Sequence, residues 1–132
     1  TRCLSDWSSD VCSSDLEQFI ADALEHSKDD YTLDQAKTLV AMGHWTLLVA
    51  VEEGSIEGAA TVSFSNRPND RVAFITAIGG KLISSPETFE QLKVLLGSVG
   101  ATYIEGAARE SIARLWSRYG FEEKYRIVGV RI

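Results

Sequence analysis

Four segments of the chain carry hydrophobic residues three or four positions apart, the spacing of one helix face. A TLDQ capping box at 32–35 and a Ser85-Pro86 pair open two of them. These patterns predict four helices. The apolar stripes are Phe19, Ile20, Ala23 and Leu24; Leu33, Ala36, Leu39 and Val40; Phe89, Leu92, Leu95, Leu96 and Val99; and Ile112, Leu115, Trp116 and Tyr119.

Five further segments are typical of strands. HWTLLVAV at 44–51 and IEGAATVSF at 56–64 flank an EEGS turn, which predicts a hairpin. Alternation places Ile56, Gly58, Ala60, Val62 and Phe64 on one face of its second strand. The remaining strands are RVAFITAI at 71–78, TYIEGAA at 102–108 and FEEKYRIVGVRI at 121–132. The order of the elements predicts an α/β fold, a sheet layered by helices.

Residues 1–16 follow neither period. The stretch SDWSSDVCSSDL at 5–16 is dominated by serine and aspartate. Reverse translation of residues 6–16 can produce a string that resembles a common sequencing-library adapter, and residues 1–5 fit its flank. We therefore expect 1–16 to be a non-native, disordered and dispensable segment, followed by one domain at 17–132.

Composition narrows the function classes. Both cysteines, Cys3 and Cys12, lie in the excluded segment, so 17–132 has no disulfide, no thiolate zinc site and no cysteine nucleophile. His26 and His44 are isolated, and no metal site is expected. The formal charge of the whole chain is −6, which argues against nucleic-acid binding. No apolar run approaches the roughly 20 residues that span a bilayer. We expect no membrane partner and a cytoplasmic location.

Two stretches resemble the GNAT superfamily of acyl-CoA-dependent acyltransferases. LLVAVEEGSIEGAATVSF at 47–64 is similar to that family's hairpin, and GATYIEGAARESIARLWSRYGFEEKYRIV at 100–128 to its C-terminal half. The resemblance spans 45–132 and implies a mixed, mostly antiparallel sheet flanked by helices. The family's first strand would precede Glu17 and so be missing. A narrower resemblance is to GNAT-like proteins of tailed phages, whose location would be the host cytoplasm or the virion.

The resemblance implies acetyl-CoA as cofactor. Where the family holds pyrophosphate with an Arg/Gln-x-x-Gly-x-Gly/Ala loop, this chain reads GGKLISSP at 79–86. The second half of the motif is missing and Pro86 removes one N–H donor, so a plain strand-to-helix turn is the alternative. The residues that would hold the cofactor are Thr76, Ala77, Ile78, Gly79, Gly80, Lys81, Ser84, Ser85 and Arg109.

The catalytic residues are less apparent. Glu105 and Glu57 are the candidate general bases. In the GNAT family an asparagine often opens the fourth helix, and a tyrosine in that helix acts as the general acid. This chain has Arg109 and Trp116 at those two positions. An indole cannot protonate a thiolate, so Trp116 is interpreted as core. Three hypotheses stay open. One is an N-acyltransferase acting on an unknown small-molecule or protein amine. The second is a catalytically inactive GNAT-like binding or virion-associated phage protein, with virion proteins as partners, and the third is a phage protein that uses the same scaffold as a surface to inhibit a partner.

Overall fold

A computed structural model of the chain describes residues 2–4, 13–25, 30–80 and 85–132. The strands are β1 Arg2–Leu4, β2 Thr46–Glu52, β3 Ser55–Asn66, β4 Arg71–Gly80 and β5 Tyr103–Gly106. The helices are α1 Ser13–Glu25, α2 Leu33–Ala41, α3 Pro86–Ser98 and α4 Glu110–Trp116, which continues into a 3₁₀ turn, Ser117–Tyr119. One sheet has the order β1-β2-β3-β4-β5, antiparallel except for the parallel pair β4–β5. The predicted fold class is confirmed.

Local signals set the helix and hairpin boundaries where they were predicted. The Thr32 hydroxyl accepts from the Gln35 N–H at 3.2 Å, and the Gln35 side chain accepts from the Thr32 N–H at 2.9 Å. Ser85 caps α3 by accepting from the Thr88 N–H at 3.2 Å. Glu53 and Gly54, with φ of 52° and 80°, make the two-residue turn between β2 and β3.

Each face of the sheet buries its own hydrophobic cluster, because successive strand residues point to opposite sides. Helices α1 and α2 cover one face, where Ile20 and Val40 pack on alternate residues of β2. Helix α3 and Trp116 of α4 cover the other face, where Leu92 and Leu96 are buried. The two clusters make a three-layer domain with the sheet in the middle.

One predicted alternation is interrupted in β3. Ala50 pairs with Gly58 but Val51 pairs with Ile56, so Glu57 is an extra residue between two ladder positions. The extra residue reverses the alternation, and Ile56 packs with the α1–α2 cluster while Ala60 lies in the other one. The prediction that Ile56 shares a face with Ala60 is therefore wrong.

The structure differs from the prediction for residues 1–16 at two places. Arg2–Leu4 pair antiparallel with β2, opposite Leu47–Val49, at the edge where a strand was expected to be missing. Helix α1 begins at Ser13, ahead of Glu17. The physical reason is general: an open strand edge accepts any extended segment, and a helix extends into residues that tolerate it. The adapter origin of 1–16 stays a prediction.

The last predicted strand is absent from the described residues. Residues 121–132 have no regular structure, although their composition favours a strand. No strand among the described residues pairs with the outer edge of β5, and an extended segment without a neighbour leaves its N–H and C=O groups to water. The prediction that Val99 belongs to the apolar stripe of α3 is also wrong, because Val99 is the C-cap of that helix and is 51% exposed.

Candidate functional site

Strand β4 contains a bulge opposite Thr61 and Val62 of β3. Thr61 pairs with Ala77 and Val62 pairs with Ile75, so Thr76 is the extra residue. The Thr76 hydroxyl donates to the Thr61 carbonyl at 2.9 Å, and the two hydroxyl oxygens are 2.8 Å apart. Because Thr61 is fully buried, these bonds satisfy polar groups that have no access to water and hold the bulge in place.

The bulge coincides with the point where β4 and β5 stop pairing. Their ladder runs from Val72–Tyr103 to Ile75–Gly106, and β4 continues to Gly80 paired with β3 only. Residues 76–80 therefore have no β5 partner on that side, and we call this unpaired edge of β4 the gap. An extended ligand with amide groups can bind such an edge by adding main-chain hydrogen bonds.

Gly79 and Gly80 are explained by packing within the domain. A Cβ at Gly79 would overlap the carbonyl oxygen of Phe19 in α1. Gly80 has φ of 72°, and a Cβ there would come within 2.7 Å of the Gly58 Cα in β3. Both glycines are thus required where α1 and β3 approach the end of β4, with or without a cofactor.

The turn after β4 is only partly described. Lys81 and Ser84, two of the residues expected to hold phosphate, lie outside the described residues. Ser85 uses its hydroxyl as the α3 cap, with its oxygen also 2.9 Å from the Thr88 hydroxyl oxygen. Pro86 has no N–H, so the first turn of α3 offers fewer donors to an anion than an ordinary helix N-terminus.

Arg109 is at the N-cap position of α4 and makes no side-chain capping bond there. Further along the helix, Trp116 is 5% exposed, and its ring lies 5.1 Å from that of Phe121. A Cβ at Gly106 would come within 3.2 Å of the Trp116 ring, so this glycine makes room for the indole. Trp116 is a core residue, as interpreted from the sequence.

Glu105 is held by two cations. Its carboxylate accepts two bonds from the Arg67 guanidinium, at 2.7 and 2.9 Å, and one from the Lys124 ammonium at 2.8 Å. These bonds, Arg67 first, lower the pKa of Glu105 to about 2 against a smaller opposing effect of burial. A carboxylate that binds protons so weakly is a poor acceptor of a proton from an amine. The geometry favours a structural role for Glu105.

The second candidate base is remote from the first. Glu57 is the bulged residue of β3 beside Gly58, which pairs with Gly80, whereas Glu105 pairs with Phe74. Phe74 and Gly80 are six positions apart on β4, or about 20 Å at the rise of a strand. The two glutamates therefore cannot serve the same reacting atoms.

A cavity of about 1040 Å³ lies beyond the outer edge of β5. Its walls include β5, the end of α3, α4 and residues 119–127 of the C-terminal segment, and Leu96 and Trp116 contribute apolar surface. Within the described ranges no three His, Cys, Asp or Glu residues are grouped to hold a metal ion. No helix in the same ranges is long and apolar enough to cross a membrane.

Sequence reasoning missed Arg67 and Lys124 as partners of Glu105. Arg67 is 38 positions before Glu105 and Lys124 is 19 after it, so no local spacing marks the three as a group. The bidentate pair of Arg67 and Glu105 joins the β3–β4 loop to β5, so it can be recognised only once the pairing of the strands is known. The cluster ties three separate segments of the chain together.

Comparison with known proteins supports the fold. No protein-family model matches the sequence, and no curated protein is detectably similar. Among solved structures, an aminoglycoside acetyltransferase from an uncultured soil metagenomic sample has a TM-score of 0.67 and 17% identity, covering 99% of this chain and 96% of that one. A ribosomal-protein-alanine N-acetyltransferase from Brucella melitensis biovar Abortus 2308 has a TM-score of 0.62 and 14% identity, with coverages of 88% and 93%.

A third similar structure contains the cofactor. The aminoglycoside N-acetyltransferase AAC(6')-Iy in complex with CoA has a TM-score of 0.63 and 14% identity, covering 88% of this chain and 85% of that one. At these identities the likeness concerns the fold and not the activity. The structure of this chain therefore has the fold of the GNAT acetyltransferases.

Proposed function

We propose that this chain is an acetyl-CoA-dependent N-acetyltransferase acting on an amine. The observation that carries the proposal is the bulge at Thr76, beyond which β4 runs without β5 as far as Gly80. This gap offers main-chain donors and acceptors to the amide groups of a pantetheine arm. The similarity of the fold to that of a CoA-bound acetyltransferase supports CoA as the cofactor.

The residues present fit the pantetheine part of the cofactor better than its phosphates. Backbone groups of 76–80 would bind the arm, while Ser85 is already used as a helix cap and Pro86 lacks an N–H. When bound, acetyl-CoA supplies the activated acetyl group as a thioester. The Thr61–Thr76 bonds hold the strand in the shape that leaves this edge open.

Proton removal from the acceptor requires a base that is free to accept a proton. Glu105 is engaged by Arg67 and Lys124, and Glu57 lies at the far end of β4 from it. Of the two, Glu57 is nearer to Gly80 and to the gap beside 76–80. That end of β4 leads into the 79–86 loop expected to hold phosphate, so neither glutamate is assigned as the base and both stay candidates. The acceptor is a small molecule or a protein amine.

Calorimetric titration with acetyl-CoA tests the proposal, followed by a thiol-release assay with a panel of amines. Acetyl-CoA at about 100 times its dissociation constant should raise the free energy of unfolding by about 2.7 kcal/mol, which a thermal melt would show. Lys81→Ala should weaken binding, whereas Lys93→Ala, in an exposed pair with Glu90, should not. Absence of binding by the folded protein would overturn the assignment.

A second candidate function is a binding protein that keeps the fold and the cofactor gap without catalysis. Two observations favour it. A buried Trp116 stands where the family has the tyrosine that acts as the general acid, and Glu105 is ion-paired. The two functions separate in one comparison. The binding protein would be favoured if acetyl-CoA binds but no thiol is released with any amine of a broad panel. In that case Glu57→Gln should bind acetyl-CoA as the unaltered chain does and should also release no thiol.

A further inference from the structure

The segment after α4 passes from one face of the sheet to the other around β5. The Phe121 side chain packs in the hydrophobic cluster that α3 covers. Three residues later, Lys124 binds Glu105. Ile104 packs on the α3 side, so its neighbour Glu105 points to the opposite side of the sheet. Residues 121–124, named the strap below, therefore cross the outer edge of β5.

The two ends of the strap are held by different forces. At one end the Phe121 ring lies 5.1 Å from the Trp116 ring, and the Phe121 N–H donates to the Trp116 carbonyl. At the other end the Lys124 ammonium donates to the Glu105 carboxylate at 2.8 Å and lies 4.9 Å from the centre of the Tyr103 ring. The first end is apolar, whereas the second depends on an ion pair whose lysine side chain is 38% exposed. The Lys124 end can therefore open while the Phe121 end stays packed.

Release of Lys124 leaves no buried charge unpaired. The Glu105 side chain is only 12% exposed, and it keeps both bonds from the Arg67 guanidinium when Lys124 leaves. A buried carboxylate without a partner is costly, but a bidentate arginine compensates its charge. The freed ammonium turns to water. Glu105 thus has one cation that fixes its charge, Arg67, and one that can move, Lys124.

The strap forms part of the wall of the cavity beyond β5, whose volume of about 1040 Å³ is at the upper end for a small-molecule site. Aromatic side chains are frequent in this wall, and Leu96 and Trp116, which also line it, are buried. The charged wall residues are four glutamates, two lysines and one arginine. Because these charges nearly balance, the wall favours neither an anion nor a cation. The lining fits an uncharged aromatic molecule.

We propose that the strap is a lid on the cavity, latched by the Lys124–Glu105 pair, and that release of this latch admits an uncharged aromatic molecule. Gly120 directly precedes the strap and has φ of 94°. Glycine adopts this left-handed region without strain, so the chain can change direction there and Gly120 is the hinge. Glu105 acts through Lys124 as a positioning residue for the lid. The inference does not depend on the binding of acetyl-CoA.

Binding of the uncharged dye Nile red, whose fluorescence rises in apolar surroundings, tests the lid. Lys124→Met removes the charge, keeps a side chain of similar length and so opens the latch, whereas Lys124→Arg keeps the charge. Lys93→Met is the matched control. Lys93 lines the same cavity, pairs with Glu90 and lies 5.4 Å from the centre of the Phe89 ring, but it is not part of the strap. Circular dichroism checks that each variant is folded.

The dissociation constant of the dye should fall about five- to tenfold in Lys124→Met, the effect of one lost charge-assisted bond on an opening equilibrium. It should be unchanged in Lys124→Arg and Lys93→Met. Gly97→Trp added to Lys124→Met should abolish the gain, because Gly97 lines the cavity and a Cβ there would have open space around it.

Equal dye binding by Lys124→Met and the unaltered chain would overturn the proposal. So would an equal gain in Lys93→Met, which would make the effect one of cavity charge and not of the latch. A gain that Gly97→Trp leaves intact would overturn it as well, since the dye would then be bound outside the cavity.

Discussion

The backbone of Phe19 in α1 lies against Gly79 in β4 so closely that no side chain can be placed at position 79. This contact fixes the depth at which α1 packs on the sheet, next to the end of the strand that borders the proposed cofactor gap. It also gives Gly79 a reason to be glycine that is independent of any ligand.

Gly79→Ala should destabilise the domain by about 1–3 kcal/mol, because α1 must shift to admit the methyl group. Urea unfolding measures the change. Gly97→Ala is the control, since a Cβ there meets no described atom within 4 Å, and it should be neutral or slightly stabilising in a helix. Equal stability of Gly79→Ala and the unaltered chain would show that α1 does not pack at this depth.

Thr76→Val should destabilise by about 1–3 kcal/mol, because it leaves the buried Thr61 hydroxyl and carbonyl without their partner. Thr61→Val with Thr76→Val should restore part of the loss, since the side-chain pair is then replaced by apolar groups. A double-mutant cycle of unfolding free energies measures this coupling. Strict additivity of the two changes would contradict the hydroxyl contact.

Glu105→Gln should destabilise by about 1–2 kcal/mol at neutral pH, a value reduced because Arg67 and Lys124 are partly exposed. The pKa of Glu105 is lowered, so its ionised form stabilises the fold above its ordinary pKa of 4.5, and that contribution is lost as pH falls towards about 2. The difference in unfolding free energy between Glu105→Gln and the unaltered chain should therefore shrink as the pH falls through this range. Glu90→Gln, in the exposed pair with Lys93, is the control and should change little.

Trp116→Ala should destabilise by about 3–5 kcal/mol, the range for removing a buried aromatic side chain. Trp116→Phe should retain most of the stability, and, if the indole only packs, should leave the rate of acetyl transfer unchanged. Leu115→Ala is the neighbouring control, because Leu115 is 38% exposed. A selective loss of transfer rate in a stable Trp116→Phe variant would assign the indole N–H a role beyond packing.

Local physical chemistry determined much of this fold from the sequence alone. The capping box at Thr32, the Ser85 cap and the Glu53-Gly54 turn act over two to four residues, so their partners are visible in the sequence. The order of helices and strands follows from the spacing of apolar residues, and each of the four helices buries part of its predicted stripe. Trp116 was recognised as core for the same reason.

Only the tertiary structure decided the rest, because it depends on residues far apart in the chain. The bulges at Glu57 and Thr76 are properties of strand pairing, and a single strand does not reveal its extra residue. Glu105 resembles a solvated strand glutamate until Arg67 and Lys124 are brought to it. A strand also needs a neighbour to bond, so the strand-like composition of 121–132 was not sufficient to make one.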